Sequence, residues 1–118
     1  MVKGVRGCGA GWEYGAITPE GDIYPCHQFV GNEDYKLGSL YDGTFDKELS
    51  GRFAGLNIYT REECKDCWAR FYCSGGCSAS NLLVKGDIKK PHRVGCELER
   101  KRLECAIALR AIAAGMAE

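Results

Sequence analysis

The sequence predicts a small, loop-rich α+β protein. Three observations carry this: a hairpin pattern near the start, a glycine-rich middle with a dense cysteine loop, and an amphipathic helix at the end. The cysteine loop runs Cys64-Lys-Asp-Cys67-Trp-Ala-Arg-Phe-Tyr-Cys73-Ser-Gly-Gly-Cys77, a C-x2-C-x5-C-x3-C spacing. Cys96 follows it, Cys8 and Cys26 precede it, and Cys105 lies near the end, making eight cysteines in 118 residues. A chain this short with that many thiols is held by disulfides or by metal.

In chain order, residues 1–12 place Cys8 in Gly-Cys-Gly-Ala-Gly, too flexible for a helix or strand interior. Glu13 to Pro25 reads as a β-hairpin, with short strands at Tyr14–Thr18 and Asp22–Tyr24 and a Pro19-Glu20-Gly21 turn. Cys26 follows the second strand directly. Tyr35–Leu40 can form a short strand. A helix is expected over about 46–54, capped by Thr44 or Asp46, with Phe45, Leu49 and Phe53 as core. Residues 78–86 read as a helical turn closed by Gly86, and 87–95 as a basic loop. The strongest helix is expected from Glu97 to about Ala114, opened by Cys96. Cys105 falls inside it and reads as a small buried hydrophobe.

The site chemistry starts from sulfur. A C-x2-C pair converges two thiolates on one centre, and thiolates are common ligands of both zinc and iron–sulfur centres. Gly75 and Gly76 let backbone approach such a centre closely. Trp68, Phe71 and Tyr72 are expected as its apolar shell. His27 and His92 stand at no ligand-like spacing and read as ordinary polar residues. On spacing alone, iron–sulfur, zinc and disulfides all remain open. No signal-peptide pattern opens the chain and no run is apolar enough to span a membrane, so a reducing cytoplasm is expected, which favours metal.

Lys+Arg and Asp+Glu each number 16, giving a formal net charge of +0. There is thus no global case for binding nucleic acid or a membrane surface. The charge is uneven, however: 13–63 is mostly acidic and 85–102 mostly basic. A basic wall near the thiols can offset the negative charge of a thiolate-bound centre or meet an acidic peptide.

The complete pattern is Cys8, twelve residues, Gly21-x4-Cys26, then Cys64, Cys67, Cys73 and Cys77, then Cys96. In this it resembles the SPASM domain, the auxiliary-cluster domain of many radical SAM enzymes, and the match covers residues 8–96. The resemblance implies a single SPASM-like domain over 1–118 with two [4Fe-4S] clusters. Cluster I would take Cys8, Cys26 and Cys77, leaving a fourth iron site open or filled by an upstream cysteine absent here. Cluster II would take Cys64, Cys67, Cys73 and Cys96. More narrowly, the chain is similar to maturases that form thioether bridges in cysteine-rich SCIFF peptides. That likeness implies a catalytic domain in cis, S-adenosylmethionine in the parent enzyme only, and a cysteine-rich precursor peptide as partner. No C-x3-C-x2-C motif for the SAM cluster occurs here, so the chain alone is expected to be inactive. The alternative is a zinc or single-iron, rubredoxin-like module on Cys64, Cys67, Cys73 and Cys96.

Overall fold

The computed structural model describes residues 4–115. Among these, four short strands form one antiparallel sheet in sequential order: β1 (Ala16–Ile17), β2 (Asp22–Tyr24), β3 (Gly38–Ser39) and β4 (Thr44–Phe45). Four α-helices accompany it: α1 (Lys47–Ala54), α2 (Arg70–Cys73), α3 (Ser78–Lys85) and α4 (Arg93–Ala113). The protein is therefore α+β and loop-rich, as its sequence predicts. No described helix is long and apolar enough to cross a membrane. Contacts divide the chain into two compact units, one of residues 8–56 and one of 57–115 together with 4–7.

In the 8–56 unit the expected hairpin forms, with Ala16 opposite Tyr24 and Ile17 opposite Ile23. Its turn closes through Gly21 N–H to Thr18 O at 2.9 Å. The hairpin continues into β3 and β4, a pairing that short polar runs did not announce. Asp46 caps α1, its carboxylate accepting from Leu49 N–H at 2.9 Å. That cap places Phe45 outside the helix. Phe45 stands in β4 instead and is 49% exposed, so of the three residues expected in the core only Leu49 and Phe53 are buried there. Phe53, Phe29 and Tyr35 form an aromatic cluster with ring centroids 5.2 to 6.1 Å apart. Buried Tyr24 and Leu37 add to this core.

The 57–115 unit has a thinner apolar core, chiefly Ile58, Ala69, Ile88 and Leu103. Helix α3 ends where expected: Gly86 takes φ +73° and its N–H bonds to Leu82 O, a left-handed cap that glycine adopts without strain. Helix α4 begins at Arg93, a turn earlier than expected. His92 is its N-cap, with Nδ1 accepting from Gly95 N–H at 3.2 Å. Cys96 therefore sits within the first turn rather than opening the helix. Of the apolar residues of α4, Leu103 is buried and Ala106 half-buried, whereas Leu98, Ile107, Leu109 and Ile112 are exposed. Cys105 is exposed too, contrary to its reading as a packed hydrophobe.

Phe53→Ala should lower the stability of the metal-loaded chain by about 3–5 kcal/mol in denaturant unfolding. Phe45→Ala should change it by no more than about 0.5 kcal/mol. Equal losses would contradict the burial assignment.

Candidate metal centre

Five cysteines of the 57–115 unit line one cavity of about 320 Å³: Cys64, Cys67, Cys73, Cys77 and Cys96. Each is delivered by a distinct piece of local structure. Cys64 and Cys67 come from a turn in which Cys64 N–H bonds to Arg61 O at 2.9 Å and Cys67 N–H to Cys64 O at 3.1 Å. Cys73 ends α2, Cys77 precedes α3, and Cys96 lies in the first turn of α4. Between Cys73 and Cys77 the backbone runs left-handed through Ser74, Gly75 and Gly76, at φ +60°, +93° and +78°. A side chain on Gly75 would be strained, and its Cβ would lie 2.7 Å from Arg61 Nε. The neighbour that requires glycine at 75 is therefore the Arg61 side chain, not the centre itself.

All four proposed cluster II thiols face this one cavity, and Cys77 joins them. Cys8 and Cys26 belong to the 8–56 unit, where Cys8 is exposed and Cys26 is buried just after β2. Cys105 does not line the cavity. None of the eight cysteines is in a disulfide.

The apolar shell differs from expectation. Ala69, Pro91 and Leu98 line the cavity, whereas Trp68, Phe71 and Tyr72 do not. Ala69 and Cys73 are four residues apart and share a helical face, which turns the three aromatics elsewhere. Trp68 is 51% exposed, and Phe71 lies beneath the Arg70 guanidinium at 4.8 Å.

Several polar residues that carried no recognisable sequence signal hold the site. Arg61, 3% exposed, donates from Nη1 to Ile88 O at 2.8 Å and Lys89 O at 2.9 Å, and from Nη2 to Ser78 Oγ at 3.3 Å. Arg70 Nη1 donates to Cys67 O at 2.9 Å. Asn81, 1% exposed, reaches Gly75 O at 3.5 Å through Nδ2. His92 also lines the cavity. Because its Nδ1 accepts from Gly95 N–H, Nε2 carries the proton and donates to Ser80 Oγ at 2.9 Å. Both ring nitrogens are thus engaged in hydrogen bonds that order the rim. His27 lies at the start of the 3₁₀ turn of 27–29 in the other unit.

Electrostatically, burial pushes the Cys64 thiol up to about 11, partly opposed by Arg61, with Cys96, Cys73 and Cys67 adding to the rise. Burial also raises Cys96, opposed by Arg100. Without metal these thiols keep their protons at neutral pH. Arg100 Nη1 lies 4.0 Å from Cys67 Sγ.

The donor set can be tested against the candidate metals. Among the described residues, no three His, Cys, Asp or Glu side chains are placed to hold one metal ion. The thiols instead ring a volume roughly ten times the ~30 Å³ of a water molecule in the liquid. Several thiols on one cavity, with close backbone and flanking cations, fit the donor chemistry of an iron–sulfur centre.

Comparison with known proteins agrees. An uncharacterized protein of Archaeoglobus fulgidus is 31% identical over 98 residues, covering 80% of this chain and 23% of that relative. The chain therefore spans under a quarter of the relative's length. Residues 8–68 match SPASM, an iron–sulfur cluster-binding domain. With the thiol-lined cavity continuing past that stretch to Cys96, the chain belongs to the SPASM family of iron–sulfur cluster-binding domains.

Proposed function

We propose that this chain is the auxiliary-cluster module of a radical SAM peptide maturase and carries two [4Fe-4S] clusters. The observation that bears most on this is the cavity lined by Cys64, Cys67, Cys73, Cys77 and Cys96 in a SPASM-family chain. Cys64, Cys67, Cys73 and Cys96 would ligate one cluster; Cys8, Cys26 and Cys77 would ligate the other. When bound, such clusters supply one-electron transfer. The chain's own residues do the holding. Asn81 fixes the Ser74-Gly75-Gly76 loop between Cys73 and Cys77, Arg61 ties the Ile88–Lys89 loop and the start of α3 at Ser78, Arg70 fixes the Cys67 carbonyl, and His92 sets the start of α4 beneath Cys96.

The radical step itself is proposed for the larger protein. A catalytic domain in cis would use S-adenosylmethionine, and a cysteine-rich, ribosomally made peptide would receive the thioether bridges. In that scheme the module accepts an electron as product forms and helps seat the peptide. The basic stretch from Lys85 to Arg102 is suited to an acidic peptide segment. A cytoplasmic setting, which keeps the thiols reduced, accompanies the reading.

Anaerobic reconstitution followed by iron and sulfide counting tests the cluster content. About eight irons per chain with matching sulfide are expected, the content of two four-iron centres. About four would overturn the two-cluster form. One iron, or zinc, without sulfide would instead support a rubredoxin-like or zinc module. Cys96→Ala should remove about half the iron and loosen the 57–115 unit, whereas Cys105→Ala should keep the full load. A loss of iron in Cys105→Ala would revise the ligand set.

The raised thiols give a pH dependence of defined sign. A buried thiol favours its protonated form, so protons compete with metal for Cys64 and Cys96 as pH falls. Iron transfer from the loaded chain to a chelator should therefore be faster at pH 6 than at pH 8.5. A pH-independent rate would contradict the thiolate assignment.

A further inference from the structure

Arg61 presents an unusual balance of charge. It is almost wholly buried, yet all three of its hydrogen-bond acceptors are neutral: two backbone carbonyls and the Ser78 hydroxyl. Its Nε is buried with no hydrogen-bond partner. That edge of the guanidinium lies against Gly75, which itself lines the thiol cavity. Neutral acceptors engage Nη1 and Nη2 but do not compensate the charge, and a guanidinium does not shed its proton. Of the groups of opposite charge around it, Cys64 acts on Arg61 most strongly, ahead of the Asp87 carboxylate, Cys73 and Glu63, and Arg61 in turn opposes the rise of the Cys64 thiol.

A second cation stands on another wall. Arg100 is four residues beyond Cys96 on α4, lines the cavity, and brings Nη1 to 4.0 Å from Cys67 Sγ. The other arginine in the last part of this region, Arg102, is engaged by Glu99, and Arg93 by Glu97. Arg61, Arg70 and Arg100 have no such carboxylate among the ion pairs of the described residues; Arg70 is held by the Cys67 carbonyl and lies over the Phe71 ring.

We propose that Arg61 and Arg100 are the counter-charges of the thiolate-bound centre and raise its reduction potential. Arg61 acts from behind the Ser74-Gly75-Gly76 loop and Arg100 from α4. The inference rests on the iron–sulfur reading above and adds to it an assignment of what sets the potential. Each one-electron reduction, supplied in the test by dithionite, adds a unit of negative charge to the centre. A fixed cation in a partly buried site stabilises that added charge more than the oxidised state, because the low local dielectric screens it weakly. Both arginines are thus positioning and tuning residues, acting through the thiolates rather than on any substrate. Arg61 has a mechanical role as well, since its hydrogen bonds tie the 88–89 loop and α3 to the turn carrying Cys64.

The two roles separate by experiment on the anaerobically reconstituted full chain. Iron content, thermal stability and a redox titration followed by electron paramagnetic resonance are measured for Arg61→Gln, Arg61→Lys, Arg100→Gln and Arg100→Lys. Loss of charge in Arg100→Gln should leave iron content unchanged and shift one reduction equilibrium about tenfold toward the oxidised form, about 59 mV for one electron. Arg100→Lys should stay near the unsubstituted value. Arg61→Lys should keep the potential while losing thermal stability, because it retains the charge but not the planar fork. Arg61→Gln should lose both, and where it cannot be loaded the Arg100 pair and Arg61→Lys decide. An iron-loaded Arg100→Gln with unmoved potential overturns the inference while leaving the cluster assignment standing. An unsubstituted chain that takes up no iron and sulfide overturns the cluster assignment, and this inference with it.

Discussion

Sulfur gathered around a shared cavity is the constraint on which the 57–115 unit depends. Its apolar interior is slight: Ile58, Ala69, Ile88 and Leu103 are the fully enclosed hydrophobic side chains apart from Cys64, and they share that interior with Arg61 and Asn81. A unit with a buried guanidinium near its centre gains little from area burial alone. Bonds from Cys64, Cys67, Cys73 and Cys96 to an inorganic centre would supply the cross-links that such a core lacks, since metal binding free energy becomes folding free energy when the site does not exist in the unfolded chain. The 8–56 unit is built differently. Phe53 meets Phe29 and Tyr35 edge to face, Leu37 and Leu49 are buried in the same unit, and the four-stranded sheet pairs its backbone.

The same constraint explains where polar side chains are placed in the 57–115 unit. Each element bearing a cysteine has a side-chain hydrogen bond that fixes it. Arg70 holds the Cys67 carbonyl, Asn81 holds the loop between Cys73 and Cys77, Arg61 ties the start of α3 next to Cys77 through Ser78, and His92 holds the turn of α4 that carries Cys96. Thiols are thereby directed toward the cavity before any metal–sulfur bond is made. A preorganised ligand set loses less conformational freedom on binding. It also explains why glycine is needed at position 75: a β-carbon would collide with Arg61.

Much of this was legible in the residues, because certain signals are local and covalent in origin. Cysteine spacing marked the stretch from Cys64 to Cys96 as the place where thiols gather, and the cavity there takes in Cys77 as well, which the family resemblance sets apart from the other four. Asp46 ahead of an amphipathic run marked α1, and Gly86 marked the end of α3, because capping is decided within one turn. What was not legible depends on partners distant in sequence. Nothing in Arg61 distinguishes it from a solvated arginine; its role follows from Ile88 and Lys89, carbonyls brought to it by the fold. The aromatics of Trp68-Ala69-Arg70-Phe71-Tyr72 suggested a shell by proximity in sequence, yet the short helix α2 directs Ala69 and Cys73 inward instead. Phe45 fitted a helical period that its neighbour Asp46 interrupts. His92 looked incidental because a histidine N-cap is uncommon, and its hydrogen bond moved the start of α4 by a turn. The amphipathic character of α4 was legible, but not that its apolar residues Ile107 and Ile112 stand exposed, because that depends on what packs against the helix.

Amide hydrogen exchange, compared between the iron-loaded chain and the same chain after anaerobic chelation, tests the central claim most directly. The account predicts that amides of α2, α3 and the first half of α4 lose protection when iron is withdrawn, while those around Phe29 and Phe53 lose far less. Unchanged protection across 57–115, with every thiol shown to be free, would contradict it.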